Sequence, residues 1–384
     1  WQMSEKGAAI PGELDRAQFE ESFEVAAIRV PAKRTGQFLK QLKDRLLNLP
    51  RRKNVEAVAG ENANLILLSR DLGQESLSAL PPTEKAWVES QLGPEVSLTS
   101  FTVRLGYEYL STEEALTKLL PKGIEVPGSF EQAGHICHLN LRDSQLPYRF
   151  LIGQVILDKN KSLRTVVNKI GKIETEFRTF PMEHLAGEAD TVVQLKEQGC
   201  IFEFDFRNVY WNSRLQMEHG RLSDALCFRR ALAVHSQGAR HVVADATCGV
   251  GPFSVPIAKQ GHQIVTHAND LNPESVRWLR RNAEVNKLER VSEVQEAPPY
   301  DDSFAPSSAG SRLVIHAPND AREFIRSLCR QRHPVTHSIF NLPATGVEML
   351  DCYRGLNFED AGLPRPLVSC YPCSFGLPDA VFCL

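Results

Sequence analysis

His241-Val242-Val243-Ala244-Asp245-Ala246-Thr247-Cys248-Gly249-Val250-Gly251-Pro252-Phe253 is the stretch on which the fold turns. A short apolar run leads into Asp245 and then into two glycines. An apolar-periodic segment follows from Phe253 to Lys259, closed by Gly261. That pattern predicts a buried strand, a tight glycine turn and a helix, with Gly261 placed to cap the helix C-terminus. Glycines there let the backbone approach a ligand closely, and the helix N-terminus behind them favours a polar or anionic group. Gln263 to Ala268 reads as a second strand, ending in Asn269-Asp270-Leu271-Asn272-Pro273. An acid at the end of the second strand, roughly 20 residues past the glycines, is where a doubly wound α/β fold grips ribose hydroxyls. Ser254 stands where a dinucleotide fingerprint would have its third glycine, so the pattern favours a nucleotide-type ligand over a dinucleotide.

Working outward, 384 residues suggest two or three domains, and 42% hydrophobic residues supply ample core. The net charge of −3 excludes a globally basic nucleic-acid binder. Nine cysteines, scattered and odd in number, suit reduced thiols inside a cell. No apolar run is long enough to span a membrane. The chain begins at Trp1 rather than Met, and a targeting segment is expected ahead of it.

Leu14 to about Gly73 reads as a small α/β unit. Within it Pro31 to Leu49 carries Phe38, Leu39, Leu42, Leu46 and Leu47 at helical spacing and stops at Pro50. The polar face of that helix is basic, from Lys33 to Arg45, which fits either a solvated face or a nucleic-acid contact. Gln74 to Ser97, with Pro81-Pro82 and Gly93-Pro94, reads as a connection. A second unit opens with the alternation Phe101 to Tyr107 and a helix capped by Ser111-Thr112-Glu113-Glu114. Between Leu139 and Phe180 there are eight Lys/Arg against four Asp/Glu, a local excess able to hold a phosphate backbone or to form ordinary surface.

Gly134 to Arg142, Ile152 to Asn160, Val167 to Ile170 and Glu176-Phe177-Arg178-Thr179-Phe180 resemble the middle domain of the tRNA (guanine-37, N1)-methyltransferases of eukaryotic and archaeal type. Val209 to His219 is similar to that family's signature at the entry to the catalytic domain. Asn269 to Ser275 and Asn341-Leu342-Pro343-Ala344 complete the pattern, in the family's order, over most of residues 14 to 370. The resemblance implies a class I, Rossmann-like doubly wound sheet with two smaller N-terminal α/β or α+β domains. Expected boundaries are an N-terminal tRNA-contacting domain over 1–95, a basic middle domain carrying Arg178 over 96–215, and a catalytic domain over 216–384. It also implies S-adenosyl-L-methionine as methyl donor, tRNA as partner through its anticodon stem-loop and body, a monomer, and residence in the mitochondrial matrix, cytoplasm and nucleus.

Guanine N1 carries a proton at neutral pH and is a poor nucleophile until it leaves. A carboxylate must take that proton while a cation or strong donor meets the charge growing on O6. By the resemblance Glu218 is the general base and Arg178 the O6 stabiliser. Asn341, after the strand-like Ser338-Ile339-Phe340, is placed to meet a guanine edge, since an amide both donates and accepts. His219, Asp270, Leu271, Asp320, Ala321 and Asn341 are the implied cofactor contacts, with Asp270 at the ribose hydroxyls and Asp320 at the adenine amine. No metal is required for in-line methyl transfer. Cys370-Tyr371-Pro372-Cys373 has no second ligand pair at zinc spacing.

Two departures stand out. Pro298 to Gly310, rich in Pro, Ser and Ala, reads as an inserted surface loop. The family continues past its fifth strand, here Pro366 to Ser374, with a helix and two strands; Ser374 to Leu384 does not resemble that continuation. The chain is therefore expected to lack its C-terminal strands, to expose an open sheet edge, and to be a fragment or mis-spliced product. Three other functions compete: an aminocarboxypropyl transferase of the same fold acting on tRNA, a truncated and inactive tRNA-binding form, and an NAD-dependent dehydrogenase. The motifs at Asp270 and Asn341 favour methyl transfer over the first, the intact Arg178, Glu218 and Asn341 stand against the second, and the two-glycine loop disfavours the third.

Overall fold

β1 (Glu21–Pro31) has Val25, Ala26, Ala27 and Ile28 buried in succession, the mark of a strand covered on both faces. Ala26, Ile28 and Val30 pack with Phe38 of α1 (Thr35–Gln41), while Val25 and Ala27 pack with Leu47 and Val103 on the other face. The computed structural model describes residues 14–72, 80–171, 177, 179–228, 241–260, 263–305, 310–342, 345–358, 360–370 and 380–383. The chain divides into two compact units, Trp1–Gly128 with Asp143–Lys159, and Ser129–Arg142 with Asn160–Leu384.

In the first unit β2 (Val55–Ala57), β3 (Ala63–Leu67), β1 and β4 (Ser97–Leu105) form an antiparallel sheet in the order β2-β3-β1-β4. The basic helix is shorter than its spacing suggests, with 3-10 turns at Ala32–Arg34 and Lys43–Arg45 flanking α1. Leu46 is extended, with ψ 155°, and Leu46 and Leu47 enter the cores on opposite faces of the sheet. Two adjacent leucines pointing opposite ways follow strand geometry, not a helical stripe. The expected connection before Ser97 contains a helix, α2 (Pro82–Gln91), which buries Val88. Pro82 opens that helix, where a missing N–H costs nothing, so the Pro-Pro pair marks a helix start instead of a turn. β4 pairs with β1 from Glu21↔Leu105 to Arg29↔Ser97, so the Phe101–Leu105 alternation belongs to this sheet. α3 (Thr112–Leu119) carries the expected capping box between Ser111 and Glu114, and α4 (Arg149–Lys159) packs beside it.

The second unit opens with a mixed sheet of β5 (Glu131–Ala133), β6 (Ile136–Leu139), β7 (Thr165–Lys169) and β8 (Met182–Gly187). A hairpin follows, β9 (Val192–Glu197) and β10 (Cys200–Asp205), and then α5 (Gln216–Phe228). The stretch first quoted forms β11 (His241–Asp245), a glycine turn and α6 (Ser254–Gln260); Gly261 lies outside the described residues. β12 (Ile264–Ala268), α7 (Pro273–Val285), β13 (Val291–Val294), β14 (Arg312–His316), α8 (Ala321–Arg330), β15 (His337–Phe340), β16 (Leu367–Cys370) and β17 (Ala380–Cys383) complete a seven-stranded sheet. Its order is β13-β14-β12-β11-β15-β16-β17, parallel throughout except for β17.

Two expectations change here. The free edge of β16 is covered, because β17 pairs antiparallel with it from Leu367↔Cys383 to Cys370↔Ala380. The tail satisfies backbone groups that an open edge would leave bare, and any extended segment meets that demand whatever its sequence. The insertion is not all surface: Phe304 is buried with Val265 and Val314, and Tyr300 and Phe304 ring the buried His333 edge-on. Residues 306–309 of it lie outside the described residues. Among the described residues, no helix is long and apolar enough to cross a membrane.

Candidate active site

In the central sheet the chain winds outward from β11 in both directions, to β12 on one side and to β15 on the other. Ligands bind at such a switch point, beyond the C-terminal ends of the strands. A cleft of about 260 Å³ opens there, lined by residues following β11, β12, β14 and β15 together with Phe177, Tyr210, Trp211, Leu215 and His219.

The glycine turn after β11 is held by the acid after β12. The Gly249 N–H donates to Asp270 Oδ2 at 2.8 Å and the Asn272 N–H to Oδ1 at 2.9 Å. Burial raises the Asp270 carboxyl above the ordinary range, and those backbone donors pull it partly back. Gly249 has φ 52°, in the left-handed region that favours glycine, and Gly251 has φ 95° with Leu279 of α7 within 2.6 Å of where a Cβ would sit, so the second position needs glycine. Asp245, wholly buried beneath the turn, accepts from Ser254 Oγ at 2.5 Å, and desolvation lifts its carboxyl to about 7. Asn269 spends its amide hydrogens on the Ala246 and Asn319 carbonyls, at 3.1 and 2.9 Å, and so ties three of the strand-end loops together.

On the far wall Asp320 caps α8, its Oδ1 accepting from the N–H groups of Arg322 and Glu323 at 2.9 and 3.2 Å. Ala321 is buried beside it, while Leu271 remains 42% exposed at the rim. The Asn341 N–H donates to Thr247 Oγ1 at 2.8 Å; its side-chain Oδ1 is buried without a partner among the described residues. His219 is buried on α5, with Nδ1 2.5 Å from Glu197 Oε1 and Nε2 likewise unpartnered. Two orphaned polar atoms on side chains that line one cleft fit a nucleoside ligand rich in donors and acceptors.

His219, Asp270, Leu271, Asp320, Ala321 and Asn341 thus surround a single cleft although they span more than a hundred residues of sequence. Glu218 is not among the lining residues. It sits one position before His219 in the first turn of α5, paired with Arg221. Arg178 lies outside the described residues, as do Pro343 and Ala344 of the last motif; Phe177, beside Arg178, lines the cleft. Thr345 and Met349 also line it, from a loop and a 3-10 turn over Glu348–Tyr353 that no motif marks. Glu197 was equally hidden, for nothing local distinguishes it from other strand-end acids. Among the described residues no group of His, Cys, Asp or Glu is arranged to hold a metal. Burial pushes the Cys370 thiol up to about 11, and Cys373 lies outside the described residues.

The TRM5/TYW2 methyltransferase domain family matches residues 191–337, and the TYW2 N-terminal domain family matches residues 112–191. A tRNA (guanine(37)-N(1))-methyltransferase from Phytophthora infestans is 39% identical over 93% of this chain and 80% of its own length. One of the same name from Danio rerio is 37% identical over 94% of this chain and 71% of its own length. Among solved structures, a complex of aTrm5 with tRNALeu aligns over 90% of this chain and 86% of that chain, with TM-score 0.57 and 20% identity. Trm5b from Pyrococcus abyssi aligns over 90% and 83%, with TM-score 0.53 and 20% identity. Both share the fold.

Proposed function

We infer the reaction from a plain premise: the chain belongs to the tRNA (guanine(37)-N(1))-methyltransferases. It transfers a methyl group from S-adenosylmethionine to N1 of guanine 37 in tRNA. The observation that carries this reading is the cleft at the switch point, where six residues expected to hold a nucleoside cofactor converge. Asp270 would receive the ribose hydroxyls and Asp320 the adenine amine, each through a carboxylate already fixed by backbone donors. When bound, the cofactor supplies a methyl group activated by its sulfonium.

The work left to the protein is to move one proton and to align the base. Glu218 is assigned as the group that takes the N1 proton, Arg178 as the cation that meets charge on O6, and Asn341 as a reader of the guanine edge. Glu218 suits the role because it directly precedes His219, which lines the cleft, and its own side chain is 22% exposed.

Incubating tRNA with labelled S-adenosylmethionine, followed by mass spectrometry of the released nucleosides, tests the reading. It predicts 1-methylguanosine. A guanosine heavier by an aminocarboxypropyl group would assign the chain to the other transferase of this fold, and an unlabelled tRNA would mark a binding protein.

A further inference from the structure

The tip of the β9–β10 hairpin rests on the first turn of α5. Gln198 Nε2 donates to the Gln216 carbonyl at 3.0 Å, and Gln260 Nε2 donates to the Gln198 carbonyl at 2.7 Å. Between these bonds Glu197 meets His219 at 2.5 Å, both residues buried, at 5% and 2% exposure. A carboxylate so far from water is costly without a partner, and His219 supplies it. The ring is wedged between Phe253, edge-on at 4.8 Å, and Trp211 at 6.1 Å, which fixes its plane. Its second nitrogen, Nε2, is buried without a partner among the described residues, on a side chain that lines the cleft.

Which imidazole nitrogen carries the proton is set by the hydrogen bond the other side makes. A carboxylate facing Nδ1 demands an N–H there. A second proton on Nε2 would be a buried donor without an acceptor, rarer in folded proteins than a buried acceptor left wanting. We propose that Glu197 is a positioning residue: it accepts the Nδ1–H of His219 and thereby leaves the Nε2 lone pair to accept from an N–H or O–H donor of the nucleoside cofactor. This rests on the reading of the cleft as the S-adenosylmethionine site. Glu197 also anchors the turn that carries Glu218, so its loss would disturb both binding and alignment.

The tautomer is read directly by long-range ¹H–¹⁵N correlation on the full chain with labelled histidine, with His219 identified by its loss in His219→Gln. Ligand-free wild type should have a protonated Nδ1 and a bare Nε2. Glu197→Gln keeps an acceptor and should retain that tautomer, binding S-adenosylhomocysteine within about threefold of wild type. Glu197→Leu should move the proton to Nε2 and weaken binding about tenfold, one hydrogen bond's worth. Methylthioadenosine, which lacks the amino acid, should weaken equally if the donor is a ribose hydroxyl and stay unchanged if it is the ammonium. A wild-type His219 protonated on Nε2, or on both nitrogens, overturns the proposal, and those spectra decide even if the Leu variant fails to fold. Failure of wild type to bind S-adenosylhomocysteine in calorimetry would instead overturn the reading of the cleft.

Discussion

Arg221 holds both carboxylate oxygens of Glu218, with Nε 2.9 Å from each and Nη2 2.5 Å from Oε1. A base must offer a lone pair to the proton it takes, and a carboxylate has about four acceptor sites to share between Arg221 and the guanine. Glu218→Gln should slow single-turnover methyl transfer about 10²- to 10⁴-fold, the range for loss of a general base. Arg221→Ala should change it less than about tenfold, because a half-exposed i,i+3 pair adds little to stability. Equal losses in the two variants would shift the catalytic role from Glu218 to the pair.

Asp270 organises the glycine turn as well as facing the cleft. Asp270→Ala removes the acceptor for the Gly249 and Asn272 N–H groups together with the proposed ribose contact. S-adenosylmethionine binding should weaken by about 1.5–3 kcal/mol, the scale of hydrogen bonds to a charged group. Unchanged affinity in calorimetry would remove the ribose from this strand end.

Asp320 combines two tasks that substitution separates. Asp320→Asn keeps an oxygen for the α8 cap but sets an amide donor where the proposed adenine amine contact needs an acceptor. Thermal stability should hold while cofactor affinity falls. Asp320→Ala loses the cap as well and should cost about 0.5–2 kcal/mol of stability. If Asn and Ala destabilise the protein alike, the cap is not made by this side chain.

Four buried histidines predict acid lability. Burial holds His267 well below its usual value, lowers His333, and brings His316 to about 3 and His337 to about 4. Their folded values lie below the unfolded 6.5, so the unfolded chain binds more protons and stability falls as pH drops from 6.5. Each contributes up to about 1.4 kcal/mol per pH unit. Asp245, raised to about 7, and Asp270, also raised, act oppositely above pH 3.8 and cancel part of this. The net expectation is a melting temperature that drops between pH 6.5 and 4.5. A flat profile would mean these histidines are hydrated in solution.

Much of the catalytic sheet was legible because its signals are local. A strand, a glycine turn and a helix follow one another within twenty residues, and the acid after β12 stands at a fixed distance beyond them. The capping box at Ser111 is local too. What escaped depends on distant partners. Nothing in Phe101 to Leu105 says it pairs with β1 some eighty residues earlier. Val291–Val294 is four residues long, too short for periodicity to separate from a loop. Burial of Glu197 is decided by His219, and coverage of β16 by a tail whose sequence carries no family mark.

The account stands or falls on where the methyl group goes. A tRNA transcript with guanine at position 37, and a second with adenine there, are each incubated with this chain and labelled S-adenosylmethionine, digested to oligonucleotides and mapped by tandem mass spectrometry. The account predicts a single added methyl on N1 of guanine 37 in the first transcript and none in the second. A methyl group at any other position, or equal labelling of both transcripts, would contradict it.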